Sequence, residues 1–359
     1  MQNTMLKTAL LGTAVLAIAG IAPASAQTSF EGETVEIIVP FSQGGAVDVS
    51  ARFLEPFFEK HLPGQPSVEV VNRPGGAGLL GANWFAQNAE TNGTQLMFTT
   101  SSTSHPYILG QEGVEYDLSQ MPVAFALPFG PVFYASPSTN VETPADLFET
   151  DSTLIYGGIS AAGSDLPALL AFEVLQLEPT TILGFPGRGP VRLAFERGET
   201  NFDVQYTPVY LTQVTQLVEG GKAVPLMTGG SLDEDGNVTQ RDAVVPDLPS
   251  VYEVYETLHG EAPSGIEWDA FQTSATLTFA ITAFLPGGTP DEVQKTYDEA
   301  IAAINADPEF QAASKEVTGG HSLTAGSTAD APLKAALKPD PVVLDYIKGL
   351  LSDKYNVRM

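Results

Sequence analysis

Two glycine-rich turns, each placed directly after a short apolar run, restrict what this chain can fold into. The first follows Ile37-Ile38-Val39 and reads Pro40-Phe41-Ser42-Gln43-Gly44-Gly45-Ala46-Val47-Asp48. The second follows Val68-Glu69-Val70-Val71 and reads Asn72-Arg73-Pro74-Gly75-Gly76-Ala77-Gly78-Leu79. A strand that ends in glycines and passes into a helix leaves backbone N–H groups at the positive end of a helix dipole. Such a turn suits an anion, a phosphate or a carboxylate.

The same device recurs along the chain. Period and composition predict strands over 35–41, 68–72 and 94–100, an amphipathic helix over 48–61 and a second helix over 79–89. Asp48 falls where an N-cap or first-turn acid belongs. This β-α-β-α-β order predicts a parallel sheet with ligands beyond the carboxyl ends of its strands. That edge would gather residues 42–46, residues 75–79 and the hydroxyl run Ser101-Ser102-Thr103-Ser104, read as loop. The interrupted apolar stretch 121–136 reads as strands crossing into a second unit. There, strands over 153–159 and 181–185 lead into Ala161-Ala162-Gly163-Ser164-Asp165 and Pro186-Gly187-Arg188-Gly189-Pro190, then helices over 166–177 and 191–197. Strands over 202–206 and 223–228, a loop-rich stretch over 232–267, a returning strand over 276–285 and helices over 290–305 and 333–351 complete the reading. The expected fold class is α/β, with two domains, each a mostly parallel sheet flanked by helices, facing a cleft lined by helix N-termini. Residues 27–127 and 250–359 are expected to form the first, discontinuous domain, and 128–249 the second.

Residues 1–26 read as a secretory signal: Lys7, the uncharged apolar stretch 9–21, and the small-x-small site Ala24-Ser25-Ala26 before Gln27. A periplasmic destination follows, and the lack of twin arginines argues for export unfolded, without a cofactor. With no Cys there is no lipid anchor through that residue, no disulfide and no thiol chemistry. The formal charge is −27, from 43 acids against 16 bases, and the acids are scattered, as on a solvated surface. That field opposes nucleic acid and anionic membranes, and an anionic ligand must be captured by local donors rather than steered from afar.

Competing chemistries are weak. Gly76-Ala77-Gly78-Leu79-Leu80-Gly81 matches a dinucleotide fingerprint, but the next strand ends in Thr and Ser rather than a ribose-binding acid. Gly158-Ile159-Ser160-Ala161-Ala162-Gly163 has one residue too many for a nucleophile elbow. The four histidines lack metal-ligand spacing. His105 is the one candidate base, read more readily as a hydrogen-bonded loop residue. Asp233-Glu234-Asp235-Gly236-Asn237 suits an Asp-Gly turn better than a calcium loop, because its ligand spacing fails. Arg188, a base inside a glycine turn, is open to two readings: a bidentate carboxylate clamp, or a surface or domain-bridging ion pair. Arg197 suits a helix C-terminus.

The opening Pro40 to Asp48 resembles the P-F-x-x-G-G-x-x-D segment of the tripartite tricarboxylate transporter solute receptors (TctC- and Bug-like proteins). Val71-Asn72-Arg73-Pro74-Gly75-Gly76-Ala77-Gly78 resembles their N-R-P-G-A-G-G segment with the glycines rearranged. Asn92-Gly93-Thr94, Ala162-Gly163-Ser164, Pro246-Asp247-Leu248-Pro249-Ser250-Val251 and Leu285-Pro286-Gly287-Gly288-Thr289-Pro290 continue the likeness in order along the chain. The turn at 186–190 departs from the family's Y-x-G pattern, and 232–267 is longer than is usual there.

The resemblance implies a periplasmic binding protein of the two-domain, type II-like kind, with a small organic acid in the cleft. Its carboxylate would be held by backbone amides and ordered water at residues 41–46, opposed by 163–165. Delivery would be to a permease of one large and one small membrane subunit, with the receptor monomeric. The candidate binding residues are Phe41, Ser42, Gln43, Gly44, Gly45, Ala46 and Asp48 in the first turn, and Gly76, Ala77 and Leu79 in the second. Ser101, Thr103 and Ser104 would offer hydroxyls. Gly163, Ser164, Asp165, Phe185, Arg188 and Tyr206 would close from the second domain, with Asp165 suited to a ligand amine or hydroxyl or to a helix N-cap. An exported hydrolase acting on an anionic substrate, or a ligand-sensing partner of a membrane kinase, are the alternatives. No cofactor or metal is expected.

Overall fold

The computed structural model describes residues 28–232 and 237–358. The expected leader at 1–26 and the acidic turn at 233–236 lie outside the described residues. In chain order the elements are β1 (Thr34–Val39), α1 (Ala46–His61), β2 (Ser67–Asn72), α2 (Leu79–Asn88), β3 (Gln95–Thr99), α3 (Ser101–Leu109), β4 (Val123–Pro128) and β5 (Pro131–Ala135). The second unit continues with β6 (Ile155–Gly157), α4 (Leu166–Val174), β7 (Thr180–Ile182), α5 (Arg188–Glu196), β8 (Phe202–Tyr206), α6 (Thr207–Val209), α7 (Thr215–Glu219) and β9 (Val224–Thr228). Then come the hairpin strands β10 (Ser231–Leu232) and β11 (Val238–Gln240), α8 (Val251–His259), α9 (Ile266–Thr278), β12 (Ala280–Phe284), α10 (Asp291–Ala306), α11 (Pro308–Val317), β13 (Thr324–Ala325), α12 (Gly326–Ala336) and α13 (Pro341–Tyr355).

Six strands form one sheet in the order β13-β4-β12-β3-β1-β2, and five form another in the order β7-β6-β8-β5-β9. The expected α/β class with two sheets is present. Both sheets are mixed. β1 pairs in parallel with β2 and β3, and β6 with β7 and β8, but the strands that carry the chain between the sheets, β4, β5 and β12, run antiparallel to their neighbours. β1 shows why a parallel pair sits at such a centre. Ile37 and Val39 face one core with Leu54 and Phe58 of α1, while Ile38 faces another with Ala82 and Phe85 of α2. A strand covered on both faces reads as a continuous apolar run. In the second unit Tyr156, Phe133 and Phe202 pack on Phe172 of α4.

The chain crosses between the two sheets at Phe129-Gly130, and Phe129 N–H donates to the carbonyl of Phe279, beside the start of β12. Helices α8, α9 and α13 pack into the core of the second sheet through Val254, Phe271 and Ile347.

Several expected elements are corrected. Residues 101–105 are not loop but the first turn of α3, capped by Thr100, whose Oγ1 accepts from Ser102 N–H. The expected strand over 276–285 is the end of α9 followed by the shorter β12. The single helix over 333–351 is two, because Pro341 and the Asp340 N-cap start a new one. The loop-rich 232–267 contains α8, opened by a Ser250–Glu253 capping box.

Candidate functional site

A cavity of about 40 Å³ lies between the two sheets, where four helices begin. From the first unit it is lined by Gly45 to Asp48 at the start of α1 and by Thr100 and Ser102 at the start of α3. From the second it is lined by Ser164, which precedes α4, and by Gly187 and Arg188 at the start of α5. Phe129 and Tyr206 close one side; their rings stack with centroids 4.4 Å apart. Each helix start brings a positive dipole end to the same point.

The start of α1 is left uncapped. Gly45 occupies the N-cap in extended geometry and has no side chain to cap with. Among the described residues, the amides of Ala46, Val47 and Asp48 find no acceptor. Val49 N–H is the first to be satisfied, by the Gly45 carbonyl. A buried helix start without partners calls for an acceptor from outside the chain. The Asp48 carboxylate does not supply it. Its Oδ2 accepts from Gly44 N–H at 2.9 Å, and its Oδ1 accepts from Arg52 and from Asn72 Nδ2 at 3.0 Å.

Arg188 is the charged group of the opposite wall, and its side chain is 6% exposed. Its Nη2 donates to Asp165 Oδ1 at 2.6 Å and to the Tyr156 hydroxyl at 3.0 Å, and its Nη1 donates to the Val204 carbonyl. Nε has no partner. Arg188 stands in a buried ion pair inside the second unit, neither on the surface nor bridging the two units. Both guanidinium ends are thus engaged within the second unit, and Nε keeps its N–H. Asp165 is likewise turned away from the cavity. Its carboxylate accepts from Tyr156, Arg188 and the amides of Ile159 and Ser160, and so ties down the 159–165 turn. Nearby Asp203 is fully buried, and burial holds its pKa above the ordinary carboxylate value against the pull of Arg188 and its hydrogen bonds. Both charged groups on the cavity wall, Asp48 and Arg188, therefore carry counter-charges of their own.

A larger groove of about 460 Å³ continues from this cavity and shares Phe41, Ser42 and Ile159 with it. One wall is the second glycine turn, Pro74 to Gly78, and the other is Gly184, Phe185 and Pro186. This turn differs from the first. Gly78 N–H donates to the Gly75 carbonyl, Leu79 N–H to Gly76, and Leu80 N–H to Gly75. Residues 75–78 all have positive φ, a left-handed turn closed on itself.

The structure thus sorts the sequence candidates. Phe41, Ser42, Gly45, Ala46, Asp48, Ser164, Arg188 and Tyr206 line the inner cavity, and Gly76, Ala77 and Phe185 line the outer groove. The others line neither. Gln43 is exposed, and the Gly44 and Leu79 amides are bonded internally. Ser101, Thr103 and Ser104 are buried within the first turn of α3 itself, where Thr103 Oγ1 donates to the Thr100 carbonyl. The Gly163 carbonyl is paired with His105 Nδ1 at 2.9 Å. His105 also meets Ser274, and burial lowers its pKa to about 4, so it is a neutral structural link between the units. Sequence reasoning missed Val47, Thr100, Ser102, Phe129, Ile159 and Gly187 as lining residues. For Thr100 a signal existed: a threonine before a helical run is an N-cap pattern. Among the described residues no cluster of three or more His, Cys, Asp or Glu could hold a metal ion, and no helix is long and apolar enough to cross a membrane.

No family model matches the chain. In sequence it is 29% identical over 211 residues to the Protein BugT of Bordetella pertussis, covering 55% of this chain and 62% of that protein, less than two thirds of its length. In structure it matches the periplasmic binding protein BugD with a TM-score of 0.65 at 20% identity, over 90% of this chain and 98% of that one. It matches MatC from Rhodopseudomonas palustris with bound malate at 0.65 and 19% identity, over 89% and 98%. It also matches an R. palustris protein with adipate at 0.67 and 17% identity, over 88% and 96%. Sharing across nearly the whole of each of these chains establishes the fold. The chain has the fold of these periplasmic binding proteins.

Proposed function

We propose that this chain is a solute-binding receptor that captures a small organic carboxylate between two lobes and hands it to a tripartite tricarboxylate-type permease of one large and one small membrane subunit. The observation that carries the reading is the cavity at the meeting of four helix starts, with the amides of Ala46, Val47 and Asp48 unsatisfied. Two or three such donors suit one carboxylate, and the dipoles behind them favour its charge. Ser42 Oγ, which donates to the Pro186 carbonyl across the cleft at 2.9 Å, and the His105–Gly163 contact hold the lobes together in this closed arrangement.

The description of BugD as a periplasmic binding protein, and the malate and adipate bound in two other structural neighbours, agree with a periplasmic carboxylate receptor. A hydrolase reading needs a base beside a nucleophile, and the buried imidazole of His105 is engaged with Gly163 and Ser274 instead. A thermal-shift screen of mono-, di- and tricarboxylates tests the reading. A binder at 100 times its dissociation constant should stabilise the protein by about 2.7 kcal/mol. Recovery of the ligand unchanged after incubation separates capture from hydrolysis.

A further inference from the structure

We infer that the preferred ligand is a monocarboxylate whose uncharged, apolar body lies in the outer groove; this rests on the reading of the inner cavity as the carboxylate site. The inner cavity, at about 40 Å³, has room for a head group and little more, whereas the groove that continues from it offers about 460 Å³. No charged residue lines that groove. Apart from Ser42 its lining side chains are apolar: Phe41 and Ile159 where it joins the cavity, Pro74 on one side, Phe185 and Pro186 on the other.

A second carboxylate would find no counter-charge there. The amides of residues 78, 79 and 80 are bonded within their own turn, and although those of Phe41, Ser42 and residues 75–77 find no acceptor among the described residues, no cation stands among the lining residues to balance a second charge. The neighbouring base, Arg73, holds its guanidinium 3.5 Å from the centroid of the Trp84 ring rather than over the groove. An anion there would also sit in the field of a chain at −27 without a local counter-charge. An alkyl chain or a ring faces none of these penalties and gains by leaving water.

The test is calorimetry on the full mature protein with acetate, butyrate, hexanoate, octanoate and benzoate, set against adipate, which matches hexanoate in length but carries a second charge. Affinity should rise with chain length, and hexanoate should bind at least tenfold tighter than adipate. Phe185→Ser should flatten the chain-length dependence. Adipate binding as tightly as hexanoate, or a flat series in the parent protein, would overturn the inference while leaving the inner site standing. Failure of every carboxylate, acetate included, would overturn the inner-site reading and this inference with it.

Discussion

Gly189 provides a sharp test of whether the closed arrangement is the binding arrangement. It lies in the first turn of α5 and faces the backbone of the first glycine turn across the cleft. A Cβ at this position would fall 3.1 Å from the Gln43 carbonyl oxygen and 3.2 Å from the carbonyl carbon and oxygen of Gly44. These are backbone atoms of a turn held by the Gly44–Asp48 hydrogen bond, so they cannot rotate away. The lobes would have to part by a few tenths of an ångström. Overpacking of this kind costs about 1–3 kcal/mol, and here the cost falls only on the closed state. Within its own helix the same methyl group is favourable, by up to about 1 kcal/mol. Gly189→Ala should therefore leave unliganded stability equal or slightly raised while weakening ligand binding about tenfold, since about 1.4 kcal/mol is one decade. Gly189→Val should weaken it further. Chemical denaturation without ligand and calorimetry with a carboxylate found in the thermal-shift screen read the two effects separately. Parent-like affinity in Gly189→Val would refute the contact between residues 43–44 and α5 as part of the bound state.

Other outcomes follow from the buried charges. Arg188→Met should destabilise the protein by about 3–5 kcal/mol, because it strands Asp165 in the interior, and Arg188→Met/Asp165→Asn should recover much of that loss in urea denaturation. His105 should stay neutral at pH 5 in imidazole NMR, since burial lowers its pKa to about 4. With the folded pKa below the unfolded value near 6.5, the unfolded chain takes up the proton first. This contribution to stability is complete above about pH 6.5 and is lost as pH falls toward 4, about 3 kcal/mol in all. His105→Gln should lack that slope, and an imidazole titrating near 6.5 would contradict the structure. Ligand association, measured by stopped flow, should speed up as salt is added. A net charge of −27 repels an anion and the charged side chains of the cavity are already paired, so screening removes repulsion; slowing by salt would point to an unpaired cation.

Much of this architecture was legible because its signals are local. A glycine turn between an apolar run and an amphipathic run locates β1 and α1 to within a few residues, and the recurrence of that pattern at 161–165 and 186–190 announces the second sheet. The misreadings have physical causes. Ser101 to Ser104 look like loop because serine and threonine compete with helical hydrogen bonds, yet the Thr100 cap and tertiary burial hold them in α3. The S-x-x-E pattern at Ser250 to Glu253 was present and would have located α8.

Inside the site, spacing predicted which turns meet but not which amides remain free. The two glycine turns look alike in sequence. The first keeps its helix start open because Gly45 follows a single left-handed glycine in extended geometry. The second closes on itself because the left-handed conformation runs on from Gly75 through Gly78 and folds its carbonyls back onto the following amides. Arg188 and Asp165 were visible as chemistry-bearing residues, but their mutual burial depends on Tyr156 and the edge of β8, contacts between positions far apart in sequence.

The most direct measurement is a crystal structure of the protein with a tightly binding carboxylate. The account predicts that the carboxylate oxygens lie about 2.7–3.2 Å from the backbone nitrogens of Ala46 and Val47, with the rest of the ligand running past Phe41 toward Phe185. A carboxylate seated away from the start of α1, with those amides facing solvent or another part of the chain, would contradict it.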